Sequence, residues 1–222
     1  MDIAENILEV RRRIERACER SRRSPEEITL VAITKGFEAS VIRTAFDLGI
    51  IDFGENRVQE AEGKIAQVSD LRPTVTWHMV GHLQSNKAKA ALEIFDIIHS
   101  VDSIRLAGIL NRLAKKQLPI LLEVNVSGES TKAGFSPDEV APAVKEMRQL
   151  PNLNLMGLMT VAPMTAEPEE VRPVFRKLRE MRDSLGLKHL SMGMTDDFEL
   201  AVAEGSTMIR IGTGIFSPRK HQ

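Results

Sequence analysis

The sequence is poor in side chains that carry redox or metal chemistry. It has one cysteine, Cys18, in 222 residues, which excludes an intramolecular disulfide and a multi-cysteine metal site. Cys18 lies within an amphipathic helical pattern, where we expect it to act as a small buried hydrophobic residue. Tyrosine is absent altogether, so any acid–base chemistry has to use other groups.

Long apolar runs and an excess of charge of one sign are also missing. No apolar stretch approaches the ~18 residues of a transmembrane helix, and the acid-containing start "MDIAENILEVRRRIERACER" does not fit a signal peptide. The chain has 30 basic and 31 acidic residues, which gives no indication of a general nucleic-acid-binding surface. With 42% hydrophobic residues it can bury a sizeable core. We expect a cytoplasmic protein with neither membrane nor nucleic acid as a partner.

Short apolar runs alternate with helical patterns along the chain. After a helix predicted at 2–21, eight strands are predicted at 28–35, 50–56, 75–82, 95–102, 119–127, 154–162, 188–194 and 207–216. Seven of them precede a predicted helix, at 38–49, 57–68, 85–94, 103–116, 136–150, 167–185 and 196–204. The helix at 136–150 begins with a capping box, in which Ser136 is followed three residues later by Glu139.

Eight alternating units predict a single (β/α)8 barrel of the TIM type, an α/β fold, with an extra N-terminal helix. Residues 28–216 form the barrel, residues 1–27 lead into it, and 1–222 make one domain. We expect no helix after strand eight, and the N-terminal helix to cover that side. The alternative is an open doubly wound sheet, although "TKGFEAS" after strand one lacks the G-x-G-x-x-G fingerprint.

Polar side chains stand at the predicted C-terminal strand ends, where such barrels carry their active sites. They are Lys35, Glu55, Asn56, His78, His82, His99, Asp102, Asn125, Thr160, Ser191, Thr195, Arg210, Gly212 and Thr213.

Two loops among these predict a phosphate site. "IRIGTG" places Gly212 and Thr213 after strand eight, and "GMTDD" places Thr195 after strand seven, where barrels frequently hold phosphate. The alternative is that these glycines only shape turns. Closing the barrel brings strand eight about 4.8 Å from strand one, and therefore brings Lys35 near this site.

A lysine beside a phosphate site is suited to forming a Schiff base with a phosphorylated carbonyl compound. The attacking amine has to be neutral, and we expect partial burial of Lys35 at the barrel mouth to favour that form. The alternative for Lys35 is a snorkelling or ion-paired lysine.

Arg210 lies two residues before Gly212, so both point to one face, about 6.6 Å apart. The guanidinium would then face a ring nitrogen of the ligand and disfavour its protonation, unless Arg210 belongs to a structural ion pair. His78 and His82 would be about 13 Å apart on a strand, too far to share a metal. We expect His78 to line the pocket, His82 to cap the next turn, and His189 to be structural.

The motifs "VAITK", "DFGENRVQE", "WHMVGHLQSNK", "IHSVDS", "EVNVSGESTKAGF", "GLMTVAP" and "LSMGMTDDFELAVAEGSTMIRIGTGIF" together resemble the pyridoxal phosphate homeostasis protein family. The resemblance runs from about residue 28 to 216. It implies a barrel like the N-terminal domain of alanine racemase, with pyridoxal 5′-phosphate as cofactor. It also implies that Lys35 is the Schiff-base lysine, Asn56 lies beside the ring, and Arg210 faces the pyridine nitrogen.

By the same resemblance, Met194, Thr195, Gly212 and Thr213 hold the phosphate. Members of the family often have serine where this chain has Thr195, and "SK" where it has Thr34–Lys35. A threonine hydroxyl still donates to a phosphate, so we expect binding to be retained.

The resemblance implies a protein that binds, buffers and delivers the cofactor without a defined catalytic reaction. Related racemases use a lysine and a tyrosine as two bases, and this chain has no tyrosine. A racemase-like enzyme with weak, lysine-only activity is the alternative; a Schiff-base aldolase for sugar phosphates and a protein-interaction role also stay open. We expect a monomer whose partners are enzymes that accept the cofactor.

Overall fold

The computed structural model describes residues 2–163 and 167–218 as a closed barrel of eight parallel strands. The strands are β1 Thr29–Ile33, β2 Asp52–Glu55, β3 Thr76–Met79, β4 Ile97–Val101, β5 Leu118–Glu123, β6 Leu153–Met159, β7 His189–Ser191 and β8 Met208–Ile211. They pair in chain order, and β1 also pairs with β8, from Thr29 opposite Met208 to Ala32 opposite Ile211. The predicted (β/α)8 fold is confirmed, and the alternative of an open sheet is wrong.

Helix α1 Ile3–Ser21 precedes the strands, and the other helices follow them and cover the outside of the barrel. They are α2 Ser40–Asp47, α3 Val58–Gln67, α4 Ala88–Ile94, α5 Ile104–Leu113, α6 Pro137–Met147, α7 Arg172–Ser184, α8 Phe198–Ala203 and α9 Thr213–Phe216. The capping box of α6 is present, since the Ser136 N–H donates to Glu139 Oε2 at 2.8 Å. None of the helices in the described ranges is long and apolar enough to cross a membrane.

The end of the barrel differs from the prediction. Strand eight was expected to run to Phe216 with no helix after it, but β8 stops at Ile211 and α9 follows. The backbone turns at Gly212, with φ −110° and ψ −80°, and the Gly212 carbonyl accepts from the amides of Ile215 and Phe216. The "GTGIF" segment is apolar enough to read as strand, but it folds back in one helical turn.

The N-terminal helix covers this side of the barrel, as expected. The Asn6 side chain donates to the Ile215 carbonyl at 2.9 Å, and Arg13 pairs with Glu199 of α8 at 2.7 Å. On the inner face of α1, Cys18 is fully buried, which confirms its expected packing role.

The core has two parts. The larger one lies between the strands and the helices and contains Phe53, Trp77 and Phe175 at 0% exposure. A smaller apolar cluster, built around Leu121 and Met159, is separate from it. The apolar packing fixes the strands, and the strand ends then place the polar side chains of the site.

Candidate functional site

Lys35 lies in the turn after β1, two residues beyond Ile33. Extending the β1–β2 register, in which Ile33 stands opposite Gly54, aligns Lys35 with Asn56. The Lys35 side chain is exposed, so the expected partial burial is wrong. In the described ranges no carboxylate pairs with it and nothing accepts a hydrogen bond from its amine, so the ion-paired alternative is not observed there.

Three charged residues hold Thr34 and Gly36, the two residues that flank Lys35. Lys64 of α3 donates to the Thr34 carbonyl at 2.5 Å, and the Gly36 amide donates to Glu60 at 2.6 Å. The Thr34 hydroxyl donates to Glu55 at 2.6 Å. The position of Lys35 is therefore set by its neighbours, while its own side chain stays free.

These three residues form a charge cluster in which Glu55 and Lys64 are buried and Glu60 is half-buried, and we call it the Lys64 cluster. Lys64 Nζ lies 2.8 Å from Glu55 and 2.6 Å from Glu60. Burial raises the pKa of Glu55, against the hydrogen bonds from Lys64 and Thr34. Partial burial also acts to raise the pKa of Glu60, but the hydrogen bonds from Lys64 and Gly36 outweigh it and the net pKa is lowered.

The loops after β7 and β8 meet, as a phosphate site requires. Thr213 Oγ1 lies 3.2 Å from Thr195 Oγ1, and the Gly214 amide donates to Thr195 Oγ1 at 3.2 Å. Within the described ranges, the backbone amides of Thr195 and Thr213 donate to no acceptor. Two hydroxyls and two free amides thus converge on one place, and phosphate oxygens accept from such donors.

Two glycines, Gly212 and Gly214, lie where a larger side chain would crowd the site between the β7 and β8 loops. A Cβ added at Gly212 would lie 3.3 Å from the carbonyl oxygen of Ile33, and one at Gly214 would lie 3.0 Å from Ile211 and 3.1 Å from Thr195. The contact between Gly212 and Ile33 also shows how near the phosphate loop comes to the end of β1, two residues before Lys35.

Met194 has a different position from the other predicted phosphate ligands. Its amide donates to Asp197 Oδ1 at 2.6 Å, and its carbonyl accepts from the Phe198 amide at 2.9 Å. Burial raises the pKa of Asp197, partly offset by that amide. The Met194 amide is therefore used inside the loop, and Met194 shapes the loop that presents Thr195.

Arg210 lies inside the barrel with 4% of its surface exposed. It donates to Ser191 Oγ at 2.6 Å and to the Thr160 carbonyl at 2.8 Å. Burial lowers the pKa of Arg210 to about 10, so the group stays positively charged at neutral pH. No carboxylate in the described ranges pairs with it, so the structural ion pair is not observed there, and three of its five N–H donors remain for a ligand.

Asn56 follows β2 and lies against Gly81, where an added Cβ would collide with the Asn56 backbone. A groove of about 480 Å³ opens beside it and includes Arg57, His82 and Lys87. His82 does not cap the following turn as expected. Its Nδ1 lies 2.9 Å from Asp102, which follows β4, because β3 and β4 are paired neighbours and their loops lie side by side.

His78 does not line the barrel mouth. It is 1% exposed and bonds to His99 and to Asp52 at 2.9 Å each. His189 lies 3.3 Å from the Thr207 hydroxyl at the start of β8, which fits a structural role. In the described ranges, no group of three or more His, Cys, Asp or Glu side chains is arranged to hold a metal.

The arrangement fits the predicted cofactor, pyridoxal phosphate. A reachable amine at Lys35, a cluster of phosphate donors around Thr195 and Thr213, and a permanent cation at Arg210 lie along adjacent strand ends. An amine can react with the aldehyde of the cofactor, and hydroxyl and amide donors can bind its phosphate. A permanent cation suits a ring nitrogen that carries no proton.

Sequence reasoning missed the residues that hold the site. Lys64 and Glu60 sit on a predicted surface helix, and Asp52 stands at a strand start, far from the expected active end. The signal for Lys64 was weak: Glu60 and Lys64 are four residues apart and face one side of α3, but this spacing is common on solvated helices.

Comparison with known proteins gives a consistent result. A profile of the family described as "Alanine racemase, N-terminal domain" matches residues 5–220. The pyridoxal phosphate homeostasis protein of Aquifex aeolicus is 42% identical over 230 residues, which cover 100% of both chains.

Among solved structures, PipY of Synechococcus elongatus with PLP bound is 38% identical, with a TM-score of 0.85 over 97% of this chain and 100% of that chain. Alanine racemase from Corynebacterium glutamicum is 16% identical, with a TM-score of 0.68 over 98% of this chain and 60% of that chain. The racemase comparison supports the fold alone.

Proposed function

The chain belongs to the family of pyridoxal phosphate homeostasis proteins, and from this we propose that it binds pyridoxal 5′-phosphate and buffers its intracellular supply. The observation that carries the proposal is the agreement between two independent facts. A relative that matches 97% of this chain has been solved with PLP bound, and the C-terminal strand ends of this chain present a lysine, phosphate donors and a buried cation.

Each part of the site has a definite task in this proposal. Bound pyridoxal phosphate supplies an aldehyde carbon that an amine can attack, and we assign that attack to Lys35. Thr195 and Thr213 hold the phosphate with their hydroxyls and free amides, while Arg210 keeps a positive charge beside the ring nitrogen. The amine has to lose its proton before attack, and the exposure of Lys35 allows water to take that proton.

The same exposure favours a carrier over a closed catalytic site. A cofactor bound at Lys35 remains accessible to water and to competing amines, which suits uptake and release. We therefore extend the proposal to delivery: a cytoplasmic monomer holds the cofactor as a Schiff base and passes it to enzymes that accept it.

Absorbance spectroscopy of the purified protein tests the proposal. We expect a visible band with bound cofactor, its loss on borohydride reduction, and a labelled peptide that contains Lys35. Lys35→Ala and Lys35→Arg should both lack the band, because neither side chain can form the bond, whereas Lys115→Ala, an exposed lysine beside β5, should keep it. A protein that shows no such band after incubation with pyridoxal phosphate and removal of the unbound cofactor contradicts the proposal.

The same experiment separates the alternatives. Trapping of a sugar phosphate in place of pyridoxal would indicate an aldolase. Exchange of the Cα hydrogen of amino acids for deuterium, lost in Lys35→Ala, would indicate a lysine-only enzyme.

A further inference from the structure

A continuous chain of polar side chains crosses the inside of the barrel, and we call it the relay. Arg210 Nη1 donates to Ser191 Oγ at 2.6 Å, and Ser191 Oγ lies 2.8 Å from His99 Nδ1. His99 Nε2 lies 2.9 Å from His78 Nδ1, and His78 Nε2 lies 2.9 Å from Asp52 Oδ1. Every link is a hydrogen-bond distance, so the relay joins the predicted ring-nitrogen site to the opposite end of the barrel.

The inner members of the relay are sealed from water. His99 and Ser191 have 0% exposure and His78 has 1%. Asp52 is the partly open end, with 21% of its side chain exposed. It lines a groove of about 410 Å³ at the N-terminal ends of β1 and β2, together with Arg11, Glu15 and Glu26. Buried polar groups are costly unless each one is paired, and in the relay each one is.

The two end groups of the relay determine the direction in which its hydrogen bonds are donated. Arginine has donors only, and an ionised carboxylate accepts only. If both histidines are neutral, the Ser191 hydroxyl donates to His99 Nδ1, His99 Nε2–H donates to His78, and His78 Nε2–H donates to Asp52. Every hydrogen then points from Arg210 towards Asp52, and no two acceptors face each other.

With Asp52 ionised, the opposite direction requires a charged His78. His99 would donate through Nδ1 to Ser191, and His78 would donate from both nitrogens, to His99 and to Asp52. The barrel interior would then hold a second cation, His78, in addition to Arg210. Burial of an extra charge is disfavoured, and burial also holds the pKa of the adjacent His99 well below its usual range, helped by the positive charge of Arg210.

We propose that Asp52 is the terminal hydrogen-bond acceptor of the relay, and that Asp52, His78, His99 and Ser191 are positioning residues that fix how the Arg210 guanidinium points into the site. The tautomers of two histidines are part of this claim: the protons lie on Nε2 of His78 and Nε2 of His99. The relay rests on the proposed function only for the identity of the ring that Arg210 faces.

Long-range ¹H–¹⁵N spectra of the histidine side chains, recorded on the cofactor-free protein, test the direction. The chain has five histidines, and substituting His82, His189 and His221 by alanine identifies their signals. Ser191→Ala then distinguishes His99 from His78, since it alters the partner of His99. We expect both relay histidines to be neutral, each with one proton on Nε2. A doubly protonated His78 with His99 protonated on Nδ1 overturns the proposal.

Two substitutions at the open end test the part played by Asp52. Asp52→Asn keeps an oxygen that can accept from His78, whereas Asp52→Ala removes the acceptor. We expect single locked tautomers in the first variant and exchange between two tautomers in the second. Glu15→Gln, a groove carboxylate outside the relay, should leave both histidines unchanged. Locked tautomers in Asp52→Ala overturn the role of Asp52.

Cofactor binding gives the second readout. Asp52→Ala should raise the Kd for pyridoxal phosphate about fivefold, the effect of one net hydrogen bond lost from the support of Arg210. A wild-type Kd in that variant counts against the proposal, as locked tautomers would. If the unsubstituted protein shows single tautomers but binds no pyridoxal phosphate, the result contradicts the proposed function and does not contradict the relay.

Discussion

The substitution Lys64→Met removes the cation of the Lys64 cluster and leaves Glu55 in place. Glu55 has 0% exposure, and its second carboxylate oxygen already has no hydrogen-bond partner in the described ranges. Removing one member of a buried ion pair leaves an uncompensated charge and costs about 3–5 kcal/mol. The whole free energy of unfolding of a domain is about 5–15 kcal/mol, so the variant should fold but lose a large share of its stability.

The loss of unfolding free energy in Lys64→Met should depend on pH in a definite direction. The folded pKa of Glu55 is raised above its usual 4.5, so the fold favours its protonated form, and this contribution is present at low pH and lost as pH rises through the folded pKa. Without Lys64 to oppose burial, that pKa rises further, and each unit is worth about 1.4 kcal/mol. The difference in stability between wild type and Lys64→Met should therefore be small near pH 5 and grow towards pH 8.

Urea unfolding at both pH values measures this, and a double variant separates charge from packing. Lys64→Met with Glu55→Gln removes both charges and should recover most of the lost free energy. Lys145→Met, on the exposed face of α6, should change stability by less than about 0.5 kcal/mol. The prediction is refuted if Lys64→Met lowers the free energy of unfolding as little as Lys145→Met does. It is also refuted if the losses of free energy in Lys64→Met and Glu55→Gln simply add in the double variant.

Two further variants follow from contacts in the loops. Thr195→Val should raise the Kd for pyridoxal phosphate about five- to tenfold, because it loses the hydroxyl that contacts the Gly214 amide, whereas Thr195→Ser should stay within about twofold; equal affinities of the two variants in a titration would contradict this. Glu204→Gln should lower the free energy of unfolding at pH 7 by about 2–3 kcal/mol, since Glu204 binds Arg172 and Arg179. Burial acts to raise the pKa of Glu204 but the arginines lower it overall, so the gap should close as pH falls below the folded pKa. A gap that persists in acid counts against the ion pairs.

Sequence reasoning found all eight strands but extended most of them too far at their C-terminal ends. The expected strand at 75–82 ends at Met79, and the one at 119–127 ends at Glu123. Hydrophobic periodicity detects the buried strand but not the place where its last backbone pairing occurs. That place depends on the neighbouring strand, which the local pattern does not contain.

The site was predictable where single residues carry the chemistry. Lys35, Thr195, Arg210 and Thr213 were identified from strand order and motif, and the loops that carry Thr195 and Thr213 do meet. Their roles towards a ligand remain predictions. Asp52 and the relay were not predictable, because His99 of β4 meets Ser191 of β7 only across the inside of the closed barrel.

The contact between Asn6 and the Ile215 carbonyl spans 209 residues of sequence, and it has a consequence for biosynthesis. The loop after β8, which holds Thr213, is made after α1, against which it packs. Chains fold from the N-terminus as they are made, so the face of α1 that contacts this loop stays uncovered until β8 has been made. The loops that carry Thr195 and Thr213 then come together as the barrel closes. A nascent chain without β8 therefore lacks the complete set of donors that we propose for the phosphate.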